Sequence, residues 1–280
     1  MHDHKDFSEL PMKRRFTGQR VTALALLATI CPSISNATIV EFQTNLGNFE
    51  VNLYDNATPA TVANFLNYVN NGRYTSSVIH RSVPGFVVQG GGFVFDTAVP
   101  LDNVPTFPAV VNEPEFANVR GTIAMAKLGG DPNSATSQWF FNLSNNTANL
   151  DAQNGGFTAF GEVVGDGMTV VDAIAALPRF NFGSPTDELP LRNYTQLDFE
   201  DSVRPDVDNF VIISAIVVTD TTVDSAAGLN PPVNTSNQPA PPNPGGGGNG
   251  GGGGGGGGGA LGYASLLILL ALLRRRSLIA

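Results

Sequence analysis

The chain has 280 residues, 15 of them basic and 24 acidic, for a formal charge of -9, with three His and one Cys. That length allows one or two domains at roughly 100–200 residues each, and a hydrophobic fraction of 42% belongs to a globular chain, not a disordered one. The acidic balance argues against nucleic acid as a partner. A lone Cys excludes a disulfide framework or a Cys-rich zinc site, and two of the three His, at positions 2 and 4, lie far from the rest.

Residues 1–37 read as a signal peptide. Lys13, Arg14, Arg15 and Arg20 precede the apolar run Val21–Ile30, and Ser35-Asn36-Ala37 offers small residues for cleavage. Cys31 would leave with it, so the exported chain would be free of thiols, which suits an oxidising compartment. Export to the periplasm, cell surface or outside follows from this reading. Between Thr38 and Pro244 there are 7 basic and 21 acidic residues, a net charge of -14 that favours solubility.

Residues 38–225 carry the patterns of one folded domain. Thr38–Thr44 alternates, with Val40 and Phe42 on one side; after the turn at Asn45–Asn48 the run Asn48–Tyr54 completes a hairpin. Thr58-Pro59 opens a helix whose Val62, Phe65, Leu66 and Val69 recur at helical spacing until Gly72, with Thr58 as its expected cap. Short strands are expected at Val78–Ser82, Phe86–Gln89, Thr122–Ala126, Gln138–Leu143 and Thr158–Val164. A second helix is expected at Met168–Leu177 and a closing strand at Phe210–Thr219. Leu177–Asp208 reads as a polar surface loop. Many short strands with two helices predict a mainly β fold, a closed antiparallel β-barrel capped by two α-helices.

Three parts follow. Residues 226–259 form a linker, Pro/Asn-rich and expected to be extended and solvated from Asn230 to Pro244, then nearly pure Gly, with 14 of the 32 Gly between Gly245 and Gly259. Residues 260–280 hold the apolar run Ala260–Leu273 and then Arg274-Arg275-Arg276. Fourteen residues rise roughly 21 Å as a helix, short of the ~30 Å hydrocarbon core.

The densest segment is Val78–Gly91, which contains HR-x₂-PGF-x₂-QGG. Two others are GTIAMA at Gly121–Ala126, followed by SQWFF at Ser137–Phe141, and FGEVVGDGMTVVD at Phe160–Asp172. Each alone reads as core and turn. Together, in this order and spacing, they resemble the cyclophilin-type peptidyl-prolyl isomerases, and the stretch Asp131-Pro132-Asn133-Ser134-Ala135-Thr136 looks like the bacterial branch.

The resemblance implies Pro-containing polypeptides as substrate, no cofactor and no metal. It implies Arg81 as the catalytic guanidinium, Phe86 and Phe140 as walls of a proline pocket, and Gln89 as a clamp on the substrate backbone. Val87, Leu150 and Phe157 complete the rim, Ala126 lines the neighbouring groove, Gln138 supports Arg81 or the substrate, and His80 occupies the family's His beside that Arg. Asn149 stands where the family's aromatic, linked to cyclosporin binding, is usual, so weak cyclosporin affinity is expected. A monomer is expected. The Gly, apolar and Arg blocks resemble a GlyGly-CTERM sorting signal, which implies a rhomboid-type protease as partner; a plain membrane anchor is the alternative. A peptide-binding module or chaperone with little turnover is the alternative to an isomerase. A hydrolase is disfavoured, since His80 is the sole His after the signal segment and no Ser/His/Asp or Cys/His set exists.

Overall fold

A computed structural model of the chain describes residues 38–96, 100–221 and 229–236. The expected signal peptide with Cys31, the poly-Gly run and the apolar tail with its Arg cluster lie outside the described residues. Among the described residues no helix is long and apolar enough to cross a membrane.

The expected hairpin is β1 (Ile39–Thr44) and β2 (Gly47–Leu53), paired from Ile39↔Asn52 to Thr44↔Gly47. Val40 and Phe42 are fully buried, as alternation requires. Helix α1 (Pro59–Asn70) follows with Pro at its start, and the chain leaves it through Gly72 at φ +63°. Its cap differs from the expectation. The Thr58 hydroxyl donates to the Tyr54 carbonyl, 3.2 Å, and caps nothing. The Glu113 carboxylate, some fifty residues away in sequence, accepts instead from Ala60 N–H at 3.1 Å and Thr61 N–H at 2.9 Å. An anion at the positive end of the helix satisfies the free donors and the dipole together.

The run expected as one strand from Val78 to Ser82 is broken. β3 (Ser77–Val78) joins β6 (Phe93–Val94), which in turn pairs with β7 (Asp102–Asn103). β4 (Arg81–Val83) pairs with β5 (Val87–Gly90). The chain changes partner at Ile79-His80, so the ladder cannot be continuous. Next come β8 (Thr122–Met125), β9 (Trp139–Asn142), the short helix α2 (Thr147–Leu150), β10 (Ala159–Val163) and helix α3 (Met168–Ala175). The segment expected as a plain loop instead holds β11 (Arg179–Phe180), β12 (Leu189–Pro190) and helix α4 (Gln196–Glu200), before the final strand β13 (Ile212–Asp220).

Eleven strands of the described residues form one sheet in the order β4-β5-β9-β8-β10-β2-β1-β13-β3-β6-β7. Among the described residues no ladder joins β4 to β7, so the expected closed barrel is not observed. The outer edge of β4 is occupied otherwise, since Ser82 N–H donates to the Glu188 carbonyl at 2.8 Å. Among the described residues four α-helices stand in place of the expected two. The extra ones, α2 and α4, are about one turn long and show no hydrophobic period. α4 is held by a capping box between Thr195 and Asp198.

The main core lies on one face of the sheet. Trp139 sits at its centre, edge-on to Phe42 and Phe141 at ring-centroid distances of 5.2 and 5.3 Å. A second cluster forms where the 178–210 excursion packs on Val78 and Phe93 through Phe180, Leu189, Leu191 and Tyr194. That apolar anchor explains why the excursion folds rather than loops. Residues 230–236, expected to be solvated, lie partly against the body, where Val233 bridges to Phe116.

The α1 cap gives a direct test. Glu113→Ala should cost about 1–2 kcal/mol in urea unfolding, the usual worth of a lost cap with its dipole contact, and Glu113→Gln should fall between it and the wild type.

Candidate active site

The site follows from register. Arg81 of β4 lies opposite Gln89 of β5, Gln89 opposite Phe140 of β9, Phe140 opposite Ala124 of β8, and Ala124 opposite Ala159 of β10. Directly paired residues project to the same face, so a polar pair, an aromatic and two small residues stand in one row across five strands. The alternate residues Val88, Trp139, Phe141 and Ile123 enter the main core on the opposite face. Val87, Ala126, Leu150 and Phe157 join Phe140, Ala124 and Ala159 in a separate apolar cluster, with Phe86 packed against it. Phe140 and Phe157 meet edge to face at 5.9 Å.

Local structure places the members of this cluster. The Pro84-Gly85 turn, closed by Phe86 N–H to the Val83 carbonyl at 3.0 Å, sets Phe86 just ahead of β5. The Phe86 carbonyl then accepts from Leu143 N–H and from the Asn146 side chain, both at 2.9 Å. Leu150 ends α2, and its carbonyl takes the Phe157 N–H at 2.8 Å. Ala126 N–H donates to the Gln138 carbonyl at 2.9 Å. Glycine is required after Gln89. A Cβ on Gly90 would stand 2.6 Å from the Trp139 ring, and one on Gly91, at φ +76°, would stand 2.5 Å from the Ser137 carbonyl. Trp139 can therefore fill the core beneath the site only because those side chains are missing.

Arg81 is 6% exposed. Its Nη1 donates to Gln89 Oε1 at 3.3 Å, and Gln89 Nε2 donates to Gln138 Oε1 at 2.9 Å, a relay that fixes the guanidinium. Arg81 Nε has no partner among the described residues. Burial lowers the Arg81 pKa, and the carboxylates of Asp187 and Glu188 oppose this. Guanidinium is too strong a base for burial of this degree to discharge it.

His80 is placed differently from the others. It is 1% exposed, edge-on to Phe93 at 4.8 Å, and turned away from the apolar cluster that holds the walls. Burial, with the neighbouring Arg81 charge, drops its pKa to about 3; the Val78 carbonyl and the Gln138 side chain act weakly the other way. The imidazole is neutral at ordinary pH.

Two features escaped the sequence reading. One is a buried polar network behind the Leu150 and Phe157 side of the apolar cluster. Asp151 Oδ1 accepts from Asn118 N–H at 2.8 Å and from Asn118 Nδ2 at 2.9 Å, Asn118 Nδ2 also donates to the Phe157 carbonyl at 2.9 Å, and Asn142 Nδ2 reaches Asn118 Oδ1 at 3.2 Å. The Asn-rich run from Asn142 to Asn149 was its one visible trace. The other is Lys127, whose Nζ donates to the carbonyls of Asn154 at 2.9 Å and Gly156 at 2.6 Å and stands 4.8 Å over the Phe157 ring. Burial, opposed by the Asp131 charge, lowers its pKa to about 8.

Residues 39–196 match the family model described as cyclophilin type peptidyl-prolyl cis-trans isomerase/CLD. A peptidyl-prolyl cis-trans isomerase of Acinetobacter baylyi is 42% identical over 152 residues, which cover 52% of this chain and 76% of that one. Peptidyl-prolyl cis-trans isomerase A of Dickeya dadantii is 40% identical over 185 residues, 64% of this chain and 93% of its own. Peptidyl-prolyl cis-trans isomerase B of Escherichia coli is 37% identical over 155 residues, 53% of this chain and 91% of its own. With its row of Arg81, Gln89 and Phe140 beside an apolar cluster, and with these matches over most of each relative, the chain belongs to the cyclophilin-type peptidyl-prolyl cis-trans isomerases.

Proposed function

We propose that the chain accelerates cis–trans rotation about X–Pro bonds in exported polypeptides, with Arg81 as the catalytic group. The observation that carries this reading is the register of Arg81, Gln89 and Phe140, which sets a fixed cation at the border of an apolar cluster.

The chemistry needs little else. Rotation must overcome amide resonance, a barrier of ~18–20 kcal/mol, and no covalent bond is made or broken. As the C–N bond twists, the prolyl nitrogen becomes pyramidal and gains a lone pair. A guanidinium N–H directed at that nitrogen binds the twisted state better than the planar one, which is the requirement for catalysis. Phe86, Phe140, Val87, Leu150 and Phe157 take the proline ring and exclude water, which strengthens the bond from Arg81. Gln89 holds Arg81 through its carbonyl oxygen and is the side chain that would clamp the substrate backbone, with Gln138 fixing its amide. Ala126, with its small side chain, leaves room for the preceding residue. His80 acts by packing beneath Arg81, because it is too buried to touch a substrate.

The ends of the chain extend the proposal. Residues 1–37 would direct export, and residues 260–280 would serve as a sorting signal read by a rhomboid-type protease, with a retained membrane anchor as the alternative. Mass spectrometry of the native C-terminus separates the two: loss of Arg274–Arg276 supports sorting, and an intact end overturns it.

A protease-coupled assay on a Pro peptide tests the mechanism. Arg81→Ala should lower kcat/KM by about 100-fold or more, the scale of losing one preorganised donor to a transition state. Unchanged turnover would remove Arg81 from the mechanism, and peptide binding without faster exchange in the wild type would favour the binding-module reading. Cyclosporin A should inhibit only weakly, because exposed Asn149 offers no aromatic surface; nanomolar inhibition in the same assay would contradict this.

No proton moves in this mechanism, so kcat/KM should be flat from pH 6 to 8. Stability should not be. His80 has a folded pKa near 3 against ~6.5 unfolded, so the unfolded chain binds the extra proton between those values. The stability this provides is complete above pH 6.5 and is lost as pH falls toward 3, at up to about 1.4 kcal/mol per pH unit. Urea unfolding at pH 7 and pH 5 should show a loss larger by about 2 kcal/mol in the wild type than in His80→Asn.

A further inference from the structure

Residues 229–236 return to the body at a defined place. Ala117 N–H donates to the Pro232 carbonyl, and Asn234 N–H donates to the Glu115 carbonyl, both at 2.8 Å, on either side of the bridge between Phe116 and Val233. Asn234 alone in this segment is buried, at 2% exposed, while Val233 and Thr235 beside it are exposed. Both polar atoms of its side chain are engaged. Nδ2 donates to the Asp151 carbonyl at 3.1 Å, and Oδ1 accepts from Ser236 N–H at 2.9 Å. Burying one amide among exposed neighbours is recognition by hydrogen bonds, since no apolar gain compensates for desolvating it.

The receptor for that amide is the network behind the pocket. Asp151 follows Leu150 directly. Its carboxylate holds Asn118, and Asn118 holds the Phe157 carbonyl at 2.9 Å while its own carbonyl accepts from Asn146 N–H at 2.9 Å. On the other side of the bridge, Phe116 packs against the apolar cluster that contains Leu150 and Phe157. The segment thus touches the wall by two routes, one polar and one apolar.

We propose that residues 229–236 are a strap and that Asn234 is a positioning residue, holding the Leu150–Phe157 wall of the pocket through Asp151 and Asn118. The proposal rests on the reading of that pocket as the proline site. The strap acts on the wall alone, since Arg81 is held separately by Gln89 and Gln138. It therefore favours ground-state binding of the proline ring over the rotation step.

The test uses the full chain with Asn234→Ala, with Asn234→Asp, which keeps the size and removes the donor to Asp151, and with Thr235→Ala as the exposed control. Hydrogen exchange is read at two amides, Ala117, which bonds to the strap, and Phe157, which bonds to Leu150. Both Asn234 variants should exchange about tenfold faster at each and raise KM for a Pro peptide about three- to fivefold, with kcat within twofold of wild type; Thr235→Ala should match wild type. Faster exchange at Ala117 with Phe157 protection and KM unchanged would reduce the strap to a tether and overturn the proposal. Unchanged exchange at both amides would overturn it too. A wild-type chain without turnover would instead count against the isomerase reading, and the Phe157 exchange would still decide the strap.

Discussion

The site depends on one constraint, the antiparallel register that sets Arg81 across from Gln89 and Gln89 across from Phe140. A slip of one residue in β4 would turn the cation away from the row, and one in β9 would turn Trp139 and Phe141 out of the core. The register is fixed from below. Trp139 packs into the space left by Gly90 and Gly91, where a single methyl group would collide with it. The core therefore does more than stabilise the sheet. It makes the alternative alignments costly, and the position of the guanidinium is a by-product of how the indole fits.

Around that row the burial of polar groups is handled in two ways. Asn118, Asn142, Asn146 and Asp151 form a closed network in which each buried amide or carboxylate finds partners. Such networks stiffen a wall because every member loses its bond if one moves. Arg81 is handled differently: its Nε is buried without a partner among the described residues, as are the neighbouring His80 Nδ1 and Ser82 Oγ, and its charge is balanced at a distance by Asp187 and Glu188. A rigid surround with one under-satisfied cation is an arrangement suited to receiving a lone pair that exists only in a twisted amide.

The parts legible in the sequence were those governed by short periods. Val40 and Phe42 revealed a strand, Val62, Phe65 and Leu66 a helix, and the ordered motifs around Arg81, Phe86, Gln89 and Phe140 pointed to the family and to the candidate site. What escaped was set by partners distant in the chain. Glu113 caps a helix that begins more than fifty residues earlier, and Thr58, the local candidate, does not. His80 sits beside Arg81 in sequence yet enters the interior, because the chain changes sheet partner at that point. Helices α2 and α4 are too short to show a period. The excursion after Leu177 looked polar on average, but Phe180, Leu189, Leu191 and Tyr194 are enough to anchor it. Asn234 was hidden in the same way, since the composition of a linker does not reveal one side chain with a seat prepared for it.

The bond from Ser82 N–H to the Glu188 carbonyl has a further consequence. β4 is a terminal strand of the sheet, and a terminal strand presents unpaired backbone groups to any extended chain nearby. An enzyme whose substrates are Pro-containing polypeptides meets extended chains. With the excursion laid along β4, and with Arg179 paired to Glu188 at 3.5 Å across its base, an incoming chain is denied the edge and left only the face. The strand that carries the guanidinium is thereby shielded from aggregation with the very molecules it handles.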